Sequence, residues 1–149
     1  MVILETNMGE IHINVDAEKA PITAKNFIDY VEDGFFEGTI FHRVIPNFMI
    51  QGGDPNSKDN DRINDGTGGR AGKYFGIGRE DDPDSWLVPA EFNDSLHVRG
   101  TLSMARTRNP NSASSQFFIC QAPQPALDHQ YTVFGKVISG MDAIDQIAN

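Results

Sequence analysis

The feature that most constrains the fold is a series of short runs rich in β-branched and aromatic residues, each bounded by turn-forming residues. Such runs predict β-strands, because these side chains pack well on a pleated sheet and Gly, Pro, Asn and Asp favour turns. The predicted strands beyond the N-terminal segment span residues 39–45, 48–52, 101–105, 116–121 and 132–138. Many short strands beside few helices indicate a β-barrel or a β-sandwich.

The N-terminal segment predicts a β-hairpin followed by a helix. In residues 1–16, apolar side chains alternate with polar ones on both sides of a short turn. Apolar residues then recur at helical spacing from Pro21 until Gly34, which predicts an amphipathic helix over residues 21–33. A second amphipathic segment follows Gly140. The chain therefore has two predicted helices in an otherwise β-rich sequence.

The length of the chain favours one domain. Its 149 residues are enough to bury a core and too few to suggest two cores. Residues 54–85 are polar and rich in glycine, which predicts a long functional loop. The strands on either side of this loop are too few to close a core alone, so we expect residues 1–149 to form a single domain.

The charge and the cysteine count exclude several classes of partner. The formal net charge is −9 and the pI is near 4.7, which argues against nucleic acid and anionic lipid as partners. The single cysteine, Cys120, permits no internal disulfide and lies in an apolar run, where a thiol behaves as a small buried side chain. The first residues have no signal-peptide pattern, and no apolar run approaches membrane-spanning length. We expect a cytoplasmic protein.

The common motifs for cofactors and nucleophiles are incomplete. The loop GTGGRA, residues 66–71, matches a relaxed dinucleotide fingerprint, but a polar loop precedes it where the motif requires a strand. The four histidines have no metal-ligand spacing, and His12 and His42 fall within predicted strands. No serine lies in a nucleophile-elbow pattern. The sequence predicts no metal, no cofactor and no covalent nucleophile.

One arginine lies among the large apolar side chains of the stretch FHRVIPNFMIQGGD. Arg43 in this stretch has an ordinary explanation as an edge-strand arginine, with its stem on apolar surface and its head in water. A second cluster of aromatic residues in SQFFIC, residues 115–120, favours a different explanation: an apolar pocket with a cation at its rim. Such a pocket suits a proline ring attached to its tertiary amide.

Five motifs of the sequence together resemble the cyclophilin family of peptidyl-prolyl cis/trans isomerases. They are FHRVIPNFMIQGGD, GTGG, RGTLSMAR, SASSQFFI and LDHQYTVFGKV, and the match runs in order along the whole chain. The resemblance implies an eight-stranded antiparallel β-barrel capped by two helices, with a groove that binds an extended X-Pro segment. The family continues into a closing strand after the second helix, so we expect this chain, which stops at Asn149, to lack that strand and to be part of a longer one.

The resemblance also implies a set of site residues. Arg43 matches the catalytic arginine, and four apolar residues match the proline pocket. The implied substrate-binding residues are Phe48, Met49, Gln51, Gly68, Ala105, Arg106, Gln116, Phe118, Leu127 and Tyr131. The stretch at Ala105 and Arg106 is implied to pair with substrate through its backbone, so we expect the Arg106 side chain to matter little for binding.

The resemblance implies a reaction that needs no bond cleavage, because rotation about the X-Pro bond only interrupts amide conjugation. An arginine that donates to the proline nitrogen stabilises the twisted amide, whose nitrogen has regained a basic lone pair. The implied partners are proline-containing peptides and unfolded or folding proteins, bound by a monomer. An alternative is a binding module or holdase chaperone that uses the same groove without significant turnover.

Two residues at the rim of the groove differ from the pattern that many family members have. Ala126 lies where many carry tryptophan, and Tyr131 lies where many carry histidine. Loss of the indole removes an N–H donor and apolar area from the rim. We therefore expect weak affinity for cyclosporin, while Arg43 and the proline pocket are unaffected.

Overall fold

The computed structural model describes residues 1–59 and 63–149 as a curled antiparallel sheet with two α-helices. Three residues of the polar loop predicted over residues 54–85 lie outside the described part. The strands are β1 (Val2–Thr6), β2 (Gly9–Val15), β3 (Arg43–Ile45), β4 (Met49–Gly52), β5 (Thr101–Met104), β6 (Phe117–Cys120) and β7 (Val133–Ser139). The helices are α1 (Pro21–Glu32) and α2 (Met141–Ala148), and short 3₁₀ turns span Pro55–Lys58, Pro83–Ser85 and Pro125–Leu127. The strand order across the sheet is β1-β2-β7-β5-β6-β4-β3.

Most of the predicted elements are confirmed to within one or two residues at each end. The hairpin and both helices are present, and Gly34 has the positive φ of +72° expected after a helix. The strand predicted over residues 39–45 is wrong in its first half, because β3 begins only at Arg43. The backbone N–H of Thr39 bonds to a turn carbonyl and that of Ile40 to the Ser57 hydroxyl, so neither donates to a neighbouring strand. His42 accordingly precedes the strand in which it was predicted to lie.

The central strands are apolar on both faces, and each face packs in a different cluster. Paired residues on neighbouring strands point to the same side of a sheet. One cross-strand row belongs to the main core and consists of Val44, Ile50, Ile119 and Leu102. The residues that alternate with this row form a smaller cluster on the opposite face, around Met49, Phe118 and Cys120. The apolar runs of the sequence therefore serve two buried clusters, of which the first is by far the larger.

Helix α1 closes one side of the main core through Phe27. Its ring is 2% exposed and lies with its centroid 5.4 Å from that of Phe117 and 5.2 Å from that of Phe134. Both contacts are edge-to-face, an arrangement that adds favourable quadrupole interactions to the burial of apolar area. The helix thereby holds β6 and β7 from the core side and leaves their other face available to the smaller cluster.

The sheet does not close on itself within the described residues. Its outer strands are β1 and β3, and a groove of about 850 Å³ is lined by residues of both together with the ends of both helices. The described residues thus form seven strands of the eight that the resemblance implies. In addition, none of the described helices has the length and apolar character needed to cross a membrane.

Candidate active site

A row of polar and aromatic residues crosses four strands on the face opposite the core. Arg43 on β3 pairs with Gln51 on β4, which pairs with Phe118 on β6, which pairs with Ser103 on β5. The register directs all four side chains to one side of the sheet. This arrangement explains why an apolar run contains an arginine: Val44 enters the core, whereas Arg43 on the alternate face does not.

The structure brings most of the predicted site residues together around one pocket of about 110 Å³. The lining residues are Arg43, Phe48, Met49, Gln51, Ala105, Arg106, Phe118, Leu127 and Tyr131. Two predicted residues, Gly68 and Gln116, are absent from this lining and lie behind it. The segments that converge here are far apart in the chain, and the sheet order β5-β6-β4-β3 joins them.

The floor of the pocket is an aromatic ring held between two others. Phe118 is 5% exposed, lies parallel to the His97 ring at 5.9 Å between centroids, and meets Tyr131 edge-to-face at 5.8 Å. Met49, which is 2% exposed, and Cys120 pack beside it. Burial raises the pKa of the Cys120 thiol to about 12, so the thiol stays neutral as the sequence predicts for a small apolar side chain.

Two glutamines connect the pocket to the polar loop. The Gln51 side-chain amide donates to Oε1 of Gln116 at 2.9 Å, and Gln116 Nε2 donates to the Gly68 carbonyl at 2.8 Å. A Cβ on Gly68 would lie 2.5 Å from a carboxylate oxygen of Asp54, so no larger residue fits there. Asp54 is fully buried and accepts hydrogen bonds from the backbone of Asn56 and Gly66. The predicted residues Gly68 and Gln116 therefore hold Gln51 in place from behind.

A buried histidine beneath the pocket, His97, was not among the predicted site residues. The backbone N–H of His97 donates to Oδ1 of Asp128 at 2.6 Å, its Nδ1 lies 3.1 Å from the same oxygen, and its Nε2 lies 3.0 Å from the Ser103 hydroxyl. Burial lowers the pKa of His97, against the opposing effect of Asp128. Its partners are 6 and 31 residues away in the chain, and no local pattern in the sequence indicates them.

Arg106 forms one wall of the pocket with its side chain. Its guanidinium lies over the Tyr131 ring, 4.4 Å from the centroid, and donates twice to the Gln130 carbonyl at 3.1 and 2.6 Å. Two further bonds reach the carbonyls of Thr107 and Arg108 at 2.8 and 3.3 Å. The resemblance implied a role only for the backbone at this position, whereas in the structure the cation itself lies against the pocket.

The Arg43 side chain is exposed and, within the described part of the chain, forms no hydrogen bond or ion pair. Its five N–H donors are therefore available to a bound molecule. Among the described residues, no group of three or more His, Cys, Asp or Glu side chains is arranged to hold a metal ion. The site offers one free cation, an apolar floor and amide donors.

Comparison with known proteins identifies the family. The family model described as cyclophilin type peptidyl-prolyl cis-trans isomerase/CLD matches residues 1–149. A peptidyl-prolyl cis-trans isomerase of Acinetobacter baylyi is 46% identical in an alignment that covers 100% of this chain and 72% of the relative. The peptidyl-prolyl cis-trans isomerase A of Dickeya dadantii is 42% identical over 99% of this chain and 70% of its own length.

A solved structure has the same fold. The crystal structure of a Cryptosporidium parvum cyclophilin type peptidyl-prolyl cis-trans isomerase in the presence of the dipeptide Ala-Pro has a TM-score of 0.83 and 31% identity, covering 99% of this chain and 84% of its own. The chain therefore belongs to the cyclophilin-type peptidyl-prolyl cis-trans isomerase family, and the two relatives above are named as isomerase enzymes. The resemblance found in the motifs is confirmed.

Proposed function

We propose that Arg43 and the pocket beside it catalyse rotation about X-Pro bonds in unfolded and folding proteins, with no covalent intermediate and no cofactor. The observation that carries the proposal is the placement of the Arg43 guanidinium, unpaired among the described residues, at the edge of a small pocket with an aromatic floor. The pocket volume of about 110 Å³ and its aromatic floor suit a proline ring. The solved family member with Ala-Pro supports the same class of ligand.

The proposed mechanism follows from the amide bond. Rotation has a barrier of roughly 18–20 kcal/mol because conjugation is lost when the bond twists. In the twisted state the proline nitrogen becomes pyramidal and accepts a hydrogen bond that it cannot accept when planar. A guanidinium N–H aimed at that nitrogen therefore binds the transition state better than either planar isomer. One such preorganised donor is typically worth about 3–4 kcal/mol in a site that excludes water.

The remaining residues hold the peptide while one end turns. Phe118 and its neighbours Phe48, Met49 and Leu127 fix the proline ring, so that the preceding carbonyl rotates against a stationary ring. The Gln51 side-chain amide, held by its hydrogen bond to Gln116, offers a polar partner to the peptide backbone beside the proline, and so does the backbone at Ala105. Fixing the peptide in this way removes the entropy cost of reaching the twisted geometry in solution.

Exchange spectroscopy of a short X-Pro peptide tests this function. With a catalytic amount of the intact chain, we expect cis-to-trans exchange to become faster than the tens to hundreds of seconds of the free peptide. The alternative, a binding module or holdase chaperone, predicts chemical-shift changes on binding without faster exchange. The altered rim at Ala126 and Tyr131 motivates this alternative. Peptide binding without faster cis-to-trans exchange would refute the isomerase mechanism and support the binding module.

We also expect weak cyclosporin binding, because the rim lacks an indole. Ala126 is exposed on the 3₁₀ turn Pro125–Leu127, directly before the pocket residue Leu127. Ala126→Trp restores a large amphipathic ring at this rim and should strengthen inhibition by cyclosporin about tenfold or more. Inhibition of isomerisation by cyclosporin, measured for both proteins, checks this. A nanomolar inhibition constant for the unchanged chain would contradict the expectation.

We propose a cytoplasmic monomer without nucleic-acid or membrane partners. The net charge of −9 disfavours binding to phosphate backbones and anionic lipid surfaces. The single cysteine is buried and unpaired, which suits a reducing compartment.

A further inference from the structure

The charge that lines the pocket is opposite in sign to the charge of the chain. Of the nine lining residues, all in the described part of the chain, two are charged and both are arginines. The chain as a whole has a formal net charge of −9. Positive groups concentrated at one site of an acidic protein are a feature that a bound molecule of negative charge can use.

The Arg106 guanidinium is held in place before any substrate binds. Four hydrogen bonds to the carbonyls of Gln130, Thr107 and Arg108 and the stacking on Tyr131 fix its plane. A guanidinium has five N–H groups, so four bonds leave one without a partner among the described residues. The carbonyls neutralise none of the positive charge. Because the side chain is already ordered, little rotamer entropy remains to be lost when it meets an anion.

The carboxylate nearest in sequence to the pocket does not cancel this charge by pairing. Asp128 follows the lining residue Leu127, and its side chain is 16% exposed. Its Oδ1 accepts the backbone N–H of His97 and lies 3.1 Å from the His97 ring nitrogen. This geometry directs the carboxylate toward the interior beneath the pocket and not toward Arg106.

The two arginines lie on opposite sides of the site, Arg43 on β3 and Arg106 just beyond the end of β5. Arg43 and Ser103 are the ends of one cross-strand row, three strand spacings or about 14 Å apart. Arg106 lies three residues beyond Ser103. An extended chain rises about 3.3 Å per residue, so roughly four residues span this distance. Phe118 and Arg106 line the same pocket, so a proline ring on Phe118 places a side chain one or two positions away near the Arg106 guanidinium.

We infer that Arg106 is a specificity-determining residue that favours substrates with a glutamate or aspartate within two positions of the proline. The inference rests on the proposed function, because it assumes that the proline occupies this pocket. The contact is a charge-assisted hydrogen bond at a partly exposed rim, for which about a threefold to tenfold preference is typical.

A matched peptide series tests the inference. Glutamate and glutamine have the same shape. They are compared at four positions of an otherwise uncharged peptide: the two residues before the proline and the two residues after it. The ratio of kcat/KM for each Glu/Gln pair is measured for the intact chain, Arg106→Gln, Arg106→Lys and Arg108→Gln. Arg108→Gln removes the same charge from an exposed residue of the same segment that does not line the pocket.

We expect a ratio of about three to ten for at least one position, reduced to about one in Arg106→Gln and unchanged in Arg108→Gln. The ratio should fall as ionic strength rises from about 0.02 to 0.5 M. Arg106→Lys should keep part of the preference, since it retains the charge without the planar fork. Each Glu/Gln ratio of kcat/KM is measured with one protein. A loss of activity that affects both peptides equally therefore leaves the ratio unchanged.

Three results would overturn the inference: a ratio near one at every position, a ratio that survives Arg106→Gln, or an equal loss in Arg108→Gln. If the chain accelerates no peptide, the proposed isomerase mechanism fails, and the ratio of Kd values from NMR titration of the same peptides decides the specificity separately. Thermal unfolding of each variant verifies that the proteins compared are folded.

Discussion

Replacement of Arg43 by alanine should lower kcat/KM for an X-Pro peptide by about a hundredfold to a thousandfold, the typical effect of removing one preorganised donor to a transition state. The free energy of unfolding should change little, because the Arg43 side chain is exposed on the outer strand β3 and forms no hydrogen bond with a described residue. The peptide Kd should change much less than kcat, since the donor acts on the twisted amide and the planar isomers do not use it. Exchange NMR measures both quantities on one sample.

Two further variants make the result specific. Arg43→Lys keeps the positive charge but loses the fork and the reach of the guanidinium, so it should recover only part of the rate. Arg108→Ala removes a cation of the same type outside the pocket and should keep the full rate. If Arg43→Ala weakens peptide binding by the same factor as kcat/KM with kcat unchanged, Arg43 is a binding residue and the proposed catalytic role is wrong.

The strand pattern predicted the fold well because each strand is short and punctuated by turn residues. The pattern does not reveal which apolar residues lie in the core. Phe117 and Phe118 are adjacent and equally apolar, yet Phe117 packs in the core and Phe118 forms the floor of the pocket. Periodicity distinguishes the two sets but does not say which face is covered. The assignment of the pocket from sequence depended on the family resemblance.

The supporting residues of the site were harder to predict because their contacts are long-range. His97 contacts Phe118 and Asp128, which lie far from it in the chain and on the other side of β5. The false strand at residues 39–42 has a similar cause. Ile40 has the composition of a strand residue, but its backbone bonds to the Ser57 side chain from the polar loop. Tertiary hydrogen bonds of this kind leave no trace in local composition.

Replacement of Phe118 by alanine should lower the free energy of unfolding by about 3–5 kcal/mol and weaken peptide binding at least about tenfold. The ring is 5% exposed and packs against His97 on one side and Tyr131 on another, so its removal leaves a cavity that neighbouring rings cannot fill. The same ring is the floor of the pocket, and a proline ring would lose its main apolar contact. Urea unfolding and NMR titration with an X-Pro peptide measure the two effects.

Phe134→Ala separates the loss of stability from the loss of the pocket. Phe134 is fully buried in the main core, 5.2 Å from the Phe27 ring by centroids, and does not line the pocket. Its replacement by alanine should also lower the free energy of unfolding by about 3–5 kcal/mol. The peptide Kd of the folded variant should remain nearly unchanged. Phe118→Leu keeps most of the apolar volume but lacks the flat ring. Its peptide Kd should lie between the values for Phe118→Ala and Phe134→Ala. Equal weakening of binding in the Phe118 and Phe134 alanine variants would show that affinity follows global stability, and the assignment of Phe118 as the floor of a proline pocket would be wrong.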